Sequence, residues 1–182
     1  MDPKTSIIPE GYNPKFIWYG HASNYSSLEK WFPILKSRVT VVTNAQVNHP
    51  NVDSVIWKPM VTEKRIMDAD IVLIPTEVGD TKASVKSPNR AVDAINAGRF
   101  VITDNRDIYG DLEDYIWIAD DLEDVAKGVE FWKNNPEKVV DMISKGQEFI
   151  HGEYGNEVII DTCLHVFELL GVINSFEEVE ND

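Results

Sequence analysis

Short apolar runs alternate with amphipathic stretches over most of the chain. Runs of strand length, rich in β-branched and aromatic residues, are followed by segments whose apolar residues have helical spacing. The apolar runs are Phe16–Tyr19, Val39–Thr43, Val55–Trp57, Asp70–Pro75, Phe100–Thr103 and Tyr115–Ile118. Uninterrupted apolar strands are typical of parallel sheets that are covered on both faces. The pattern therefore predicts a doubly wound, Rossmann-like α/β fold with a parallel sheet of about six strands.

The most clearly bounded helix of the pattern follows the fourth apolar run. Ser87 is a favoured N-cap residue, Pro88 suits the first helical position, and Gly98 is typical of a helix C-terminus. The C-terminal third of the chain is mostly helical, and its last residues are acidic. We therefore predict one domain over residues 1–174, with extra C-terminal helices, and a flexible acidic tail over residues 175–182.

Charge and composition exclude several classes of function. The chain has 31 acidic and 17 basic residues, and its formal net charge is −14. Sequence-independent nucleic-acid binding and electrostatic membrane attachment both need clustered Lys and Arg, so we expect neither. The sequence does not begin with a signal-peptide pattern, and no apolar run approaches the ~20 residues that span a bilayer. These features predict a soluble, cytoplasmic protein without a membrane span.

Three cations lie close together in this acidic chain, around the start of the helix that follows the fourth run. Lys82 and Lys86 precede the helix, and Arg90 lies in its first turn. Ligands of an open α/β sheet bind beyond the carboxyl ends of its strands, and a helix N-terminus offers free N–H groups to a phosphate. With the point charge of Lys and the planar fork of Arg, this arrangement indicates a diphosphate site. The alternative is that the cations are solvated surface residues and that Ser87 and Pro88 only begin a helix.

The same region resembles the donor-site motif of GT-B glycosyltransferases. Asp70 to Thr76 is similar to the motif's strand with its Pro-Thr ending, and Lys86 to Ile102 is similar to the helix and strand that follow. The similarity is closest to bacterial members that carry Lys-Ser-x-Asn-Arg, here Lys86 to Arg90. Weaker similarity covers most of the remaining chain. The resemblance implies the C-terminal domain of a GT-B enzyme, which holds a nucleotide-diphosphate sugar.

The resemblance also implies roles for individual residues. The residues expected to bind the diphosphate are Lys82, Lys86, Ser87, Asn89 and Arg90. Asp93 occupies the position of the acidic residue that binds the ribose hydroxyls. Contacts to the nucleobase or sugar are expected from Gly20 and His21, after the first strand, and from Trp57 and Lys58, after the third. The resemblance implies no metal and no other cofactor, and it assigns no catalytic residue to this chain.

Two functional hypotheses remain open. The first is a donor-binding domain or subunit of a glycosyltransferase, for which residues 1–15 are too short to form the acceptor domain. A partner subunit, or a second copy of the chain, would then complete the active site. The second hypothesis is a non-catalytic nucleotide-binding or interaction module with the same half-fold. An NAD-dependent dehydrogenase is set aside, because Gly20 to Asn24 lacks the Gly-x-Gly-x-x-Gly turn that such enzymes need after the first strand.

Overall fold

The computed structural model of the protein describes residues 11–58, 60–76, 88–104 and 106–169. The strands in these ranges are β1 Phe16–Tyr19, β2 Val39–Thr43, β3 Val52–Ile56, β4 Ile71–Ile74, β5 Phe100–Thr103 and β6 Trp117–Ile118. They form one sheet in the order β3-β2-β1-β4-β5-β6, and every neighbouring pair is parallel. This topology confirms the predicted doubly wound, Rossmann-like α/β fold.

Three strands lie at different bounds from those that the apolar pattern predicted, and β4 is shorter than its predicted run by one residue at each end. β3 begins at Val52, three residues before the predicted run, and pairs with β2 along its whole length. It is the edge strand, and Val52 is its one buried residue, so its apolar signal is weak. β6 contains only Trp117 and Ile118, which pair with Ile102 and Thr103 of β5.

Eight helices lie in the described ranges. They are α1 Ser26–Glu29, α2 Phe32–Leu35, α3 Val61–Asp68, α4 Asn89–Asn96, α5 Arg106–Tyr109, α6 Leu122–Asn134, α7 Pro136–Tyr154 and α8 Asn156–Leu169. Short 3-10 turns occur at Ala22–Asn24 and at Gly110–Leu112. α4 begins at Asn89, one residue later than the sequence pattern indicated, and Pro88 precedes it.

Side chains alternate between the two faces of the sheet, and each face is covered by helices. On one face α1, α2 and α6 pack against Phe16, Trp18, Leu73 and Phe100, all of which are almost fully buried. On the other face α3 lies against β1, and α4 lies against β4 and β5. α4 buries Ala91, Ala94 and Ile95, and the two alanines let the helix approach the sheet closely. The long apolar strands are therefore shielded on both sides, as their composition predicted.

The chain divides into two compact units, residues 1–147 and 148–182. The first unit contains the whole sheet and most of α7. The second unit, described as far as residue 169, contains the end of α7 and all of α8. Within it, Ile160 and Phe167 of α8 are exposed. The predicted acidic tail, residues 175–182, lies outside the described residues.

Candidate functional site

The sheet has a topological switch point between β1 and β4. From β1 the chain continues to β2 on one side, and from β4 it continues to β5 on the other. The connections that leave these strands diverge, and ligands of open α/β sheets bind in the crevice that this creates at the carboxyl ends. The residues that line the crevice are Asn24, Ser27, Pro75, Thr76, Arg90, Ile108 and Tyr109. Its free volume is about 10 Å³, which is room for one water molecule.

Arg90, predicted to bind a diphosphate, lies in this crevice. The first turn of α4 carries it towards the end of β1, where Tyr19 Oη donates a hydrogen bond to the Arg90 carbonyl oxygen over 2.7 Å. Burial raises the pKa of the Tyr109 hydroxyl, and the nearby Arg90 guanidinium partly offsets this effect. The guanidinium also lies against Gly20, because a Cβ atom added at Gly20 would be 3.7 Å from Arg90 Nη1. That is an ordinary van der Waals distance, and the same Cβ atom would be more crowded by the Trp18 ring, at 3.2 Å.

The other residues predicted to bind the diphosphate divide into two groups. Lys82, Lys86 and Ser87 lie outside the described residues. Asn89 is the first residue of α4 and is exposed. The diphosphate assignment of these four residues stays a prediction, and so does that of Arg90, although Arg90 does lie at the switch point.

His21 has a structural partner on each side of its ring. It is the N-cap of the 3-10 turn Ala22–Asn24, and its Nδ1 accepts from the Ser23 backbone N–H. On the other side Asn44 Nδ2 lies 3.3 Å from His21 Nε2, while Asn44 Oδ1 accepts from the Ala22 N–H. The exposed ring therefore joins the segments that follow β1 and β2, and a ligand contact from it stays a prediction.

Trp57 and Lys58 follow the edge strand β3, two strands away from β1. Trp57 is 55% exposed, and its backbone N–H donates to the Thr43 carbonyl oxygen over 2.7 Å. Lys58 is also exposed. Neither residue is among those that line the crevice in the described part of the chain. Their predicted contact to a nucleobase or sugar stays a prediction.

A larger cavity, of about 410 Å³, lies between α3 and α4 and opens beside the end of β1. Its lining residues are Tyr19, Thr62, Glu63, Ile66, Met67, Asp93, Asn96 and Ala97. Ile66, Met67 and Ala97 make part of the wall apolar, whereas Glu63 and Asp93 bring two carboxylates to it. Asp93 is one helical turn beyond Arg90, so α4 connects this cavity to the switch-point crevice.

The charges in this cavity perturb one another. Partial burial of the Asp93 carboxyl raises its pKa above the ordinary value, and the negative charge of Glu63 raises it further. Burial also raises the pKa of the Tyr19 hydroxyl, and Asp93 adds to that effect. Tyr19 therefore remains a protonated donor to the Arg90 carbonyl oxygen. Perturbed carboxyl groups in a cleft are typical of ligand-binding sites.

Sequence reasoning did not find Tyr19, Thr62 or Glu63. Only a short helical turn, Ile66 to Ala69, was expected before β4, whereas α3 begins at Val61. Ile66 is the only buried residue of α3, so this helix has almost no apolar periodicity to reveal it. If the predicted helix had been extended back to Val61, Thr62 and Glu63 would have been expected at the carboxyl edge of the sheet.

A charged cluster holds the end of β4 next to the crevice. Lys30 Nζ donates to Asp104 Oδ2 over 2.7 Å and to the Thr76 carbonyl oxygen over 2.8 Å. Asp104 Oδ1 accepts from the Thr76 backbone N–H over 2.6 Å. Both polar groups of the Thr76 backbone are therefore bound by one ion pair, whose side chains are 32% and 18% exposed.

Another cavity, of about 550 Å³, opens at the opposite, amino-terminal edge of the strands. Lys15, Arg38, Asp53 and Arg65 are among its lining residues. Arg38 and Asp53 are paired with each other, so part of its charge is internally compensated. This edge carries the strand beginnings, where α/β sheets do not place their ligand sites. The crevice and the cavity beside α4 are therefore the better candidates.

The strand order defines a doubly wound α/β protein, and a narrow crevice lies at its switch point. No model of a known protein family matches the chain, and a search of curated proteins gave no match. Among the described residues, no three His, Cys, Asp or Glu side chains converge to hold a metal ion. No helix in the same ranges is long and apolar enough to cross a membrane.

Proposed function

We propose that this chain binds a nucleotide-diphosphate sugar, as the donor-binding domain or subunit of a glycosyltransferase. The observation that carries the proposal is the position of Arg90 at the switch point, with Asp93 one turn further along α4. Three residues of an α-helix rise by about 4.5 Å, which suits successive contacts to a phosphate and to its ribose. A planar guanidinium matches phosphate oxygens, and an ionised carboxylate accepts hydrogen bonds from ribose hydroxyls.

The narrow crevice sets a condition on phosphate binding. Arg90 shares the crevice with Tyr109, and the free volume there admits only one water. A diphosphate would therefore bind on the open side of Arg90. Because Arg has five N–H donors, it can stay beside Tyr109 while several of them bind the ligand.

Calorimetric titration of nucleoside diphosphates and of the matching nucleosides tests the proposal. The parent should bind each diphosphate more tightly than its nucleoside. Arg90→Ala should weaken diphosphate binding by about 1.5–3 kcal/mol, the contribution of a hydrogen bond to a charged group. Nucleoside affinity should change little. Equal affinity of the parent for nucleoside and diphosphate would contradict the proposal.

Arg65→Ala is the matched control, since it removes the same charge from α3 at the opposite edge of the sheet. It should leave diphosphate affinity unchanged. If both variants weaken binding alike, the effect is long-range electrostatics and not a contact from Arg90. Thermal unfolding of each variant should accompany the titration, because Arg90→Ala also removes a charged neighbour of the buried Tyr109 hydroxyl.

Sugar transfer needs an acceptor site as well as a donor site. A partner subunit, or a second copy of the chain, would supply it under the first hypothesis. Binding of the diphosphate without hydrolysis or transfer of the sugar, in the presence of candidate acceptors and partners, is the result expected of a non-catalytic module. The titration therefore tests the binding proposal, and a product assay separates the two hypotheses.

A further inference from the structure

Both charged side chains that line the cavity between α3 and α4 are carboxylates. Glu63 and Asp93 are both acceptors when ionised, and neither carboxylate has a hydrogen bond or an ion pair in the described part of the chain. The influence of Glu63 on the pKa of Asp93 indicates that the two groups are within electrostatic range. A ligand in this cavity is therefore favoured if it brings hydrogen-bond donors to two places.

We propose that the Glu63 carboxylate binds the edge of the nucleobase and selects guanine. This inference rests on the proposed function, in which Arg90 binds phosphate and Asp93 binds ribose. A nucleoside held at these two points extends its base away from Arg90, into the cavity that Asp93 shares with α3. Glu63, in the first turn of α3, is the remaining charged residue of that cavity.

The chemistry of the base edges decides which base a carboxylate prefers. Guanine presents two adjacent donors, N1–H and the N2 amino group, which can bind both carboxylate oxygens at once. Uracil presents a single N–H between two carbonyl oxygens, which a carboxylate repels. Adenine and cytosine each place one amino group beside an acceptor nitrogen. Among the common bases, guanine therefore satisfies Glu63 best.

Thr62 supplies an independent observation at the same place. Its Oγ1 atom is buried and makes no hydrogen bond among the described residues, although the residue lines the cavity. A buried hydroxyl without a partner is unfavourable, so rotation of the Thr62 side chain towards a ligand acceptor in the cavity would be stabilising. The O6 atom of guanine, next to N1–H, is such an acceptor. Ile66, Met67 and Ala97 provide the apolar contact for the flat ring.

Titration of the full chain with GDP, IDP and UDP tests the inference. IDP differs from GDP only by lacking the N2 amino group, so it isolates one hydrogen bond to a charged acceptor. The parent should bind GDP about tenfold more tightly than IDP, which is the factor for a single such bond. In Glu63→Gln this ratio should fall towards one, because the neutral amide loses the charge-assisted pair. The control Glu130→Gln, an exposed site on α6, should keep the parent ratio.

Thr62→Val separates ligand recognition from a structural role. It should weaken GDP and IDP alike, because both carry O6, while the thermal midpoint stays the same or rises. If GDP and IDP bind equally to the parent while Arg90→Ala still weakens both, the guanine assignment is wrong and the proposed function stands. An unchanged ratio in Glu63→Gln would also overturn the assignment. If no diphosphate binds more tightly than its nucleoside, the proposed function itself fails.

Discussion

Asp104 offers a stringent test of how the carboxyl edge of the sheet is held together. Its carboxylate accepts the Thr76 backbone N–H and the Lys30 ammonium at once, over 2.6 Å and 2.7 Å. Asp104→Ala would remove both contacts and leave the Thr76 N–H without this acceptor. The side chains of the pair are 18% and 32% exposed, so water can replace the lost partners only in part.

The expected loss of stability follows from these two contacts. A hydrogen bond to a charged group contributes about 1.5–3 kcal/mol, and a partly exposed ion pair adds up to about 1 kcal/mol. Asp104→Ala should therefore reduce the free energy of unfolding by about 2–4 kcal/mol. Asp104→Asn keeps an oxygen for the Thr76 N–H and loses only the charge, so it should have about half this effect.

Urea unfolding measures both variants, and Asp53→Ala is their control. The Arg38–Asp53 pair also joins a cationic side chain to an Asp, but its side chains are 56% and 57% exposed. Loss of such an exposed pair changes stability little. Asp104→Ala should shift the urea midpoint downward by on the order of 1 M, and Asp53→Ala should barely move it. Equal shifts in the two variants would refute the conclusion that the Thr76 backbone depends on this ion pair.

Two further predictions concern stability. The pKa of Asp93 is raised above its ordinary value of 3.8, so the ionised carboxylate makes the folded state less stable as the pH rises through that value. Asp93→Asn should therefore be more stable than the parent at neutral pH. The gain in stability should vanish when unfolding is measured in acid. Gly128→Ala should be destabilising by about 1 kcal/mol or more in thermal unfolding, because its Cβ would lie 2.7 Å from the Trp117 ring. Gly152→Ala meets no atom within 4 Å and should be neutral or stabilising by up to about 1 kcal/mol. An unchanged stability of Gly128→Ala would show that the Trp117 ring can move away from the added methyl group.

The strands of the central sheet were predictable because parallel strands covered on both faces must be apolar throughout. Phe16–Tyr19 and Phe100–Thr103 were located to the residue for this reason. The edge strand was not, since only Val52 is buried and the pairing with β2 determines its length. The helix predicted before β4 was too short for a related reason. Only Ile66 of α3 is buried, so the seven other residues carry no apolar periodicity that marks the start of the helix.

The candidate site was predictable only where it depends on local sequence. Arg90 was located because a residue in the first turn after β4 must lie at the carboxyl edge of the sheet. Glu63 and Tyr19 could not be assigned, because their relation to Asp93 depends on how α3, β1 and α4 pack together. His21 was expected to face a ligand, whereas its pairing with Asn44 depends on the neighbouring strand.

The packing of α4 connects the stability of the fold to the geometry of the site. Ala91, Ala94 and Ile95 bury one side of the helix against the sheet, and this holds Arg90 and Asp93 beside the crevice and the cavity. A larger side chain at position 94, such as Ala94→Val, would move the whole helix, so stability and nucleotide affinity should fall together. Asp93→Asn acts only on the exposed side, so stability should rise while affinity falls, and binding residues commonly show this opposition. Two substitutions on adjacent residues should therefore change stability in opposite directions and affinity in the same direction, which unfolding and titration of the two proteins can measure. If Asp93→Asn lowers both, Asp93 is a structural carboxylate and the ribose contact must be sought elsewhere.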